Sequence, residues 1–505
     1  MKRSFIIPAC RSAIMASVFT IVLMFSADAQ RRRTQATPTE IAELKKVVES
    51  DLRNLKAHEE YIRAAGIDDP GVKAQYEAWA KADPKNMAVL TAYGSALYSA
   101  EYPQAKPWLL KIVELEPKNA KVWQMLSIDA ERWGDKTASR EYMRKAAEAA
   151  PEDPSYAFYY AMDFEHEDPA KWRTLIHELA KRFPSSERGA QGLYWLATRS
   201  TDREEKVRVY EQLRKSYPPE KYSWSSGGMS LLFDIYLQSD AEKAVELASS
   251  LRSMQGWGEK DTLAQRVVAV NKLLAGKKFR EAELLAASLK APRYSRAANY
   301  IALLKAKARY AAGNTAAAYD SLVVLYAKLP SDELMEGINL YAQKLGKKSD
   351  DVELDIRKIR EAAARPAPDF QLGLYTSNES VSLDQYRGKV VLLTFWFPGC
   401  GPCRGEFPHF EAVLDKFRDK EVAYLGINVF PEQDDYVLPF MKGTGYTFTP
   451  LRGTAEWARD VYRVTGQPTN FLIDKKGRIV FSNFRTEANN HRELELMIEA
   501  LLKES

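Results

Sequence analysis

The chain has three cysteines, and two of them, Cys400 and Cys403, stand three apart in the run Phe395-Trp396-Phe397-Pro398-Gly399-Cys400-Gly401-Pro402-Cys403-Arg404. The third, Cys10, lies in an N-terminal segment patterned for removal. The pair follows an apolar β-type run, Val390 to Phe397, and opens a helical pattern that continues to Phe417. In that context C-x-x-C reads as a redox motif. A helix N-terminus stabilises an anion, so a cysteine placed there loses its proton more readily. The three-residue step brings the second sulfur within reach of a disulfide. A structural zinc site needs four ligands, and no second C-x-x-C exists to supply them.

The elements that must hold this pair follow from apolar spacing. Val390–Phe397 and Val422–Val429 are short continuous apolar runs, the pattern of strands buried on both faces. Thr469–Asp474 and Arg478–Phe484 flank the turn Lys475-Lys476-Gly477 and predict a hairpin. Leu494 to Leu502 has the spacing of a closing amphipathic helix. After Pro368 the predicted order is strand, short helix, strand, helix, strand, helix, strand or loop, helix, strand, strand, helix.

This order resembles the thioredoxin fold. More narrowly, residues 366–505 resemble the exported thioredoxin-like reductases of the TlpA/ResA type. Five separated motifs carry the resemblance in order: Gly388-Lys389-Val390-Val391-Leu392-Leu393, Phe395-Trp396, Cys400-x-x-Cys403, Arg404-Gly405-Glu406-Phe407-Pro408, and Gly466-Gln467-Pro468-Thr469-Asn470-Phe471-Leu472-Ile473-Asp474. The resemblance implies that Cys400 is the attacking thiolate and that Cys403 resolves the mixed disulfide with a client protein. It implies a cis-proline at Pro468 that aligns the client backbone, with Gln467 and Trp396 contributing to the client-binding surface. Glu406 matches a family acid near the second cysteine, suited to moving a proton to or from Cys403. Thioredoxin carries a buried aspartate six residues before the first cysteine; here that place is Thr394. Arg404 is expected to favour the thiolate of Cys400. Gly401-Pro402 is the thioredoxin dipeptide and points toward a reductant, fed by a membrane thiol-passing donor. No cofactor is expected.

Two departures from the family pattern stand out. Gly399 occupies the place where the family commonly has tryptophan. Phe430 to Thr449 reads as an insertion, whose Asp434, Asp435 and Tyr446 are candidates for the client surface.

Upstream, residues 38–364 carry helical apolar spacing and few strand signals. Pro84, Pro117, Pro151, Pro184 and Pro218 are separated by 33, 34, 33 and 34 residues, each after an amphipathic helix that a proline cannot extend. A period near 34 suggests a tetratricopeptide-type array. Trp123, Leu126, Ala146 and Pro151 match that repeat's positions, while Ser127, Ala130 and Met143 depart from it. The expectation is a degenerate solenoid of six to eight irregular helical pairs. Its concave face would bind a partner or client peptide, or the array would space the C-terminal domain. A charged helix from Ser349 to Ala364 runs into Arg365-Pro366-Ala367-Pro368, a predicted stiff linker and domain boundary. The fold class expected is therefore multidomain, an all-α repeat followed by an α/β thioredoxin-like domain.

Length bounds the answer further, since 505 residues argue for more than one domain. A net charge of +5 is small at that size and gives no case for nucleic acid as a partner. Residues 1–29 read as an export signal: Lys2, Arg3 and Arg11, the apolar stretch Ala13–Phe25, then Ala27-Asp28-Ala29 as cleavage site. That places the chain in the periplasm of a Gram-negative bacterium, with an uncleaved anchor facing the same side as the alternative; Arg31-Arg32-Arg33 beyond the site keeps that alternative open. Two other readings stay open. The array could be the working part, with the C-terminal domain a redox-sensitive latch. Alternatively, Cys400, Cys403 and a histidine, His409 or His491, could carry Cu(I), a soft ion suited to thiolates.

Overall fold

The computed structural model of the protein describes residues 36–292 and 295–504. The segment 1–29 lies outside these. Among the described residues, nineteen helices run from Pro38 to Ala363, and strands begin at Arg365. Nineteen helices exceed the six to eight pairs expected, because many of the turns between them carry no proline. The helices that end at Ala82, Leu115, Ala149, Arg182 and Ser216 are each followed two residues later by one of the periodic prolines, and one further helix intervenes between successive members of that series. The sequence period therefore counts helix pairs, and the N-terminal region fits a helical repeat. Side chains of Asn86, Asn119, Asp135, Asp153, Asp168, Ser186 and Asp202 accept from backbone N–H groups at the helix starts. Each such cap contributes about 1 kcal/mol.

The chain divides into two compact units. One holds the described residues up to Ala100 together with Gln104–Leu115; the other holds Glu101–Pro103 and everything from Glu116 onward. The first unit has an aromatic core in which Tyr76 stacks on Tyr93 at 4.8 Å and Tyr93 meets Trp108 edge-on at 4.8 Å. The second unit contains both the later helices and the C-terminal α/β domain.

That domain is built on a six-stranded sheet in the order β1-β8-β7-β4-β5-β6, with a separate β2-β3 ribbon. The strands are β1 (Arg365–Pro366), β2 (Gln371–Gly373), β3 (Ser380–Ser382), β4 (Val390–Trp396), β5 (Val422–Asn428), β6 (Thr449–Arg452), β7 (Thr469–Ile473) and β8 (Arg478–Ser482). β4, β5 and β6 run parallel, whereas β7 pairs antiparallel with β4 and β8 antiparallel with β7. Strand β4 is buried along its whole length, as its apolar run predicts. Its side chains alternate: Val390, Leu392 and Trp396 join the core under the helices Gly401–Leu414 and His491–Lys503, and Val391, Leu393 and Phe395 join the opposite core with Ala458 and Tyr462.

The predicted linker is part of this sheet. Arg365 and Pro366 pair with Ile479 and Arg478 at its edge, and the Ala367 N–H donates to Gly477 O at 3.0 Å. An edge strand tolerates proline because the missing N–H faces away from the ladder. No helix among the described residues is long and apolar enough to cross a membrane.

Candidate active site

The two cysteines sit where β4 hands over to the helix Gly401–Leu414. Cys400 is the N-cap residue in extended conformation, and its Sγ accepts from the Cys403 N–H at 3.3 Å. Cys400 and Cys403 are disulfide-bonded, with Cα atoms 5.3 Å apart. Pro402 falls in the first helical turn, where its missing N–H costs nothing. Cys403 is wholly buried and Cys400 is 4% exposed. Both pack in the core with Phe407 and Phe410.

One turn beyond Cys403, on the same helix face, lies Glu406, also buried. Its carboxylate accepts from Asn470 Nδ2 at 3.0 Å and from the Thr486 N–H at 3.0 Å, and it meets Arg485 Nη1 at 3.3 Å. Burial pushes its pKa above the ordinary carboxylate value, against the pull of those donors. Thr394, at the position of thioredoxin's buried aspartate, donates to Asn470 Oδ1 at 2.8 Å. Asn470 therefore links Thr394 on β4 to Glu406. Sequence reading missed Asn470, Thr486 and Arg485, although Asn470 lies inside a motif it singled out.

The peptide bond Gln467–Pro468 is cis. Phe395 pairs with Thr469, so Pro468 sits at the same end of the sheet as the cysteine loop. Pro468 is buried and Gln467 half-buried. Trp396, expected at the client-binding surface, is instead fully buried, because its ring packs 5.3 Å from Phe407 and 5.0 Å from Phe448, and it backs the loop from inside the core.

Charges around the helix start differ from the sequence expectation. The Arg404 guanidinium is paired with Glu131 of the helical region at 2.7 Å, so its charge is shared before it reaches Cys400. The insertion forms the helix Asp434–Thr444, and this helix docks on the helix Ala120–Arg132 and the turn after it. The Trp133 and Tyr436 rings meet at 4.9 Å, and a Cβ on Gly134 would come within 2.8 Å of Phe440 O. Asp434 accepts from Asn428 Nδ2 at 2.9 Å and from the Tyr375 hydroxyl, which ties it into the fold. Beside the first turn of the Gly401–Leu414 helix is a cavity of about 270 Å³, bounded by Arg404, Pro408 and Tyr446 and by Glu131, Arg140 and Asp163. Burial, reinforced by Glu131, pushes the Asp163 carboxyl up to about 7.

His409 and His491, candidates for a copper ligand, hydrogen-bond each other at 3.0 Å. Among the described residues, no three His, Cys, Asp or Glu side chains converge to hold a metal ion.

Comparison with known proteins concerns the same part of the chain. The AhpC/TSA family model matches residues 363–482. The thiol-disulfide oxidoreductase ResA of Bacillus subtilis is 35% identical over 114 residues, 23% of this chain and 63% of that protein. The ResA of Geobacillus kaustophilus is 33% identical over 140 residues, 27% of this chain and 79% of that protein. The chain thus spans a little under two thirds of the first relative's length. Among solved structures, the thioredoxin domain of a thiol-disulfide oxidoreductase from Bacteroides vulgatus is 27% identical and covers 27% of this chain and 96% of that one, with a TM-score of 0.24.

Proposed function

Because this chain belongs to the family of ResA-type thiol-disulfide oxidoreductases, we propose that it reduces disulfides in exported client proteins through Cys400 and Cys403. One observation carries the reading: a disulfide at a helix N-terminus with a buried carboxyl, Glu406, one turn further along the same face. In the reduced protein the thiolate of Cys400 attacks one sulfur of the client disulfide. The client S–S bond breaks, a mixed disulfide forms, and the first client thiolate leaves. Cys403 then gives up its proton and attacks the Cys400 sulfur, releasing the second client thiol. Two electrons pass from the dithiol to the client, whose two thiolates take up one proton given up by Cys403 and one from solvent, where the Cys400 proton went when its thiolate formed; the Cys400–Cys403 disulfide remains.

The helix N-terminus supports the thiolate of Cys400. Glu406 is the acceptor for the Cys403 proton; its raised pKa brings it closer to the thiol's own range, which favours transfer. Gln467 and Pro468 line the client approach at the same sheet end, and Trp396 holds the loop from below. A donor dithiol, from a membrane thiol-passing partner, restores the reduced state. The reading of residues 1–29 as an export signal supports an extracytoplasmic setting, and the helical region is assigned the binding of a partner or client.

A second reading, a binding scaffold with a redox-sensitive latch, draws on the docking of the insertion helix onto the helical region. An equilibrium redox titration of Cys400–Cys403 tests the main one. A potential near or below that of thioredoxin, roughly −270 mV, fits a reductant. A potential near about −120 mV makes the protein a disulfide donor and overturns the reductase assignment.

A further inference from the structure

The helical region reaches the cysteine loop at one further point. The Gly399 N–H, one residue before Cys400, donates to Gln433 Oε1 at 2.6 Å. The same amide donates through Nε2 to Glu101, and Gln433 is wholly buried. Glu101 lies in the turn before the helix Ala105–Leu115, and its other oxygen accepts from Arg132 Nη2 at 3.0 Å. A Cβ placed on Gly399 would lie 3.0 Å from Glu101 Oε2, so the carboxylate lies directly against the residue preceding the N-terminal cysteine.

A second observation is independent of those contacts. Glu101 has φ 61°, in the left-handed region that glycine enters freely and a glutamate does not. A side chain kept at such a position is held there by what it contacts.

We propose that Glu101 is a positioning residue of the dithiol: through Gln433 it fixes the Gly399–Cys400 loop, and its carboxylate holds back the thiolate of Cys400. The inference rests on Cys400 being the attacking sulfur. The helix N-terminus favours the thiolate, while Arg404, the nearby cation expected to add to it, is paired with Glu131. Glu101 is itself shared with the Arg132 guanidinium, but its second oxygen is the charge set against Gly399, so Glu131, by offsetting Arg404, and Glu101 act in one direction. They disfavour the charged, reduced form of Cys400 and favour the disulfide, which makes the dithiol a stronger reductant.

The test uses the full chain with Glu101→Gln and Glu101→Gly. Glycine suits φ 61°, so the second variant removes the carboxylate while relaxing the backbone. The readouts are the pH dependence of Cys400 alkylation by iodoacetamide, followed by peptide mapping, and the dithiol–disulfide equilibrium against glutathione. In both variants the alkylation midpoint should move to lower pH, raising the thiolate fraction at neutral pH about threefold to tenfold. The equilibrium should shift toward the dithiol by a similar factor. Midpoints and equilibria unchanged within about twofold in either variant overturn the proposal, since a purely structural role would leave the titration in place. Reduction of insulin disulfides by the unmutated protein is scored separately. Its failure alongside shifted midpoints removes the reductase reading and leaves the role of Glu101 standing.

Discussion

The phenolic hydroxyl of Tyr436 donates to the buried carboxylate of Asp129 across 2.7 Å, joining the insertion helix of the α/β domain to the helical region. Burial, with Asp129 adding to it, pushes the Tyr436 phenol above its ordinary range, so it stays a donor at every working pH. The insertion, expected from the sequence to help define a client surface, also docks on the helical region through this bond. Tyr436→Phe keeps the ring against Trp133 and removes only the donor. The expected cost is about 1–3 kcal/mol, read from the urea midpoint. Hydrogen exchange should accelerate first in the helix Asp434–Thr444. An unchanged midpoint would mean that this hydrogen bond contributes nothing net.

Glu406 should act on rate and on pH dependence together. Its carboxyl is held above the ordinary carboxylate range by burial. Activity through a carboxylate acceptor rises as that group deprotonates, so the wild-type rate has an acid limb displaced upward from the ordinary carboxylate range. Glu406→Gln should lower turnover about a hundredfold and erase that limb. The stability effect has its own sign. The folded carboxyl binds a proton more tightly than the unfolded one, so its contribution is present at low pH and is lost as pH rises through the folded value. The variant should therefore lose less stability than wild type over that rise. A variant with full turnover and an intact acid limb would remove Glu406 from proton transfer.

The two cysteines should separate cleanly by role. Cys400→Ser is expected to abolish insulin-disulfide reduction. Cys403→Ser should allow the first attack and block the second, leaving client proteins covalently attached through Cys400. Non-reducing gels of exported proteins from cells carrying each variant read this directly. Adducts with Cys400→Ser in place of Cys403→Ser would reverse the assignment.

Acid should weaken the fold through its histidines. His409 hydrogen-bonds His491, and the His166 ring lies 5.8 Å from it. Burial first, then the neighbouring His491, His166 and Arg199, lower the His409 pKa to about 4; His166 and His491 are lowered as well, with Lys136 and Lys416 reinforcing and Glu167 and Glu495 opposing. The unfolded chain then binds more protons than the folded one between the ordinary histidine value, about 6.5, and about 4. Stability is retained above that window and falls as pH drops through it. His409→Asn should flatten the fall in urea midpoint between pH 6.5 and 4. A slope identical to wild type would place the acid sensitivity elsewhere.

Legibility followed the range of the interactions. The Cys400–Cys403 pair, strand β4 and the helix after it were readable because apolar runs, a helix start and a three-residue spacing are local. The prolines of the helical region were readable for the same reason, but their period stops at Pro218, and eight of the nineteen helices lie beyond it, so the pairs were undercounted. Arg365-Pro366 read as a linker because its partner, β8, lies more than a hundred residues away. Asn470 sat in a recognised motif, yet nothing local tells that its amide bridges Thr394 and Glu406. Glu101 was invisible, since its partner Gln433 stands 332 residues along the chain.

That distant pair also accounts for the missing aromatic before Cys400. A Cβ on Gly399 would fall 2.9 Å from Gln433 Nε2 and 3.0 Å from Glu101 Oε2. Tryptophan, which the related family commonly carries there, cannot be added unless both side chains give way. Gly399→Trp should destabilise the protein by about 1–3 kcal/mol, the usual cost of overpacking. Glu101→Gly clears part of the space. If the clash is the cause, the double variant should be less destabilised than the two single changes added together, with a coupling of about 1 kcal/mol in a double-mutant cycle read by urea unfolding. Strict additivity would mean that the indole turns away from Glu101, and that glycine at this position serves the backbone alone.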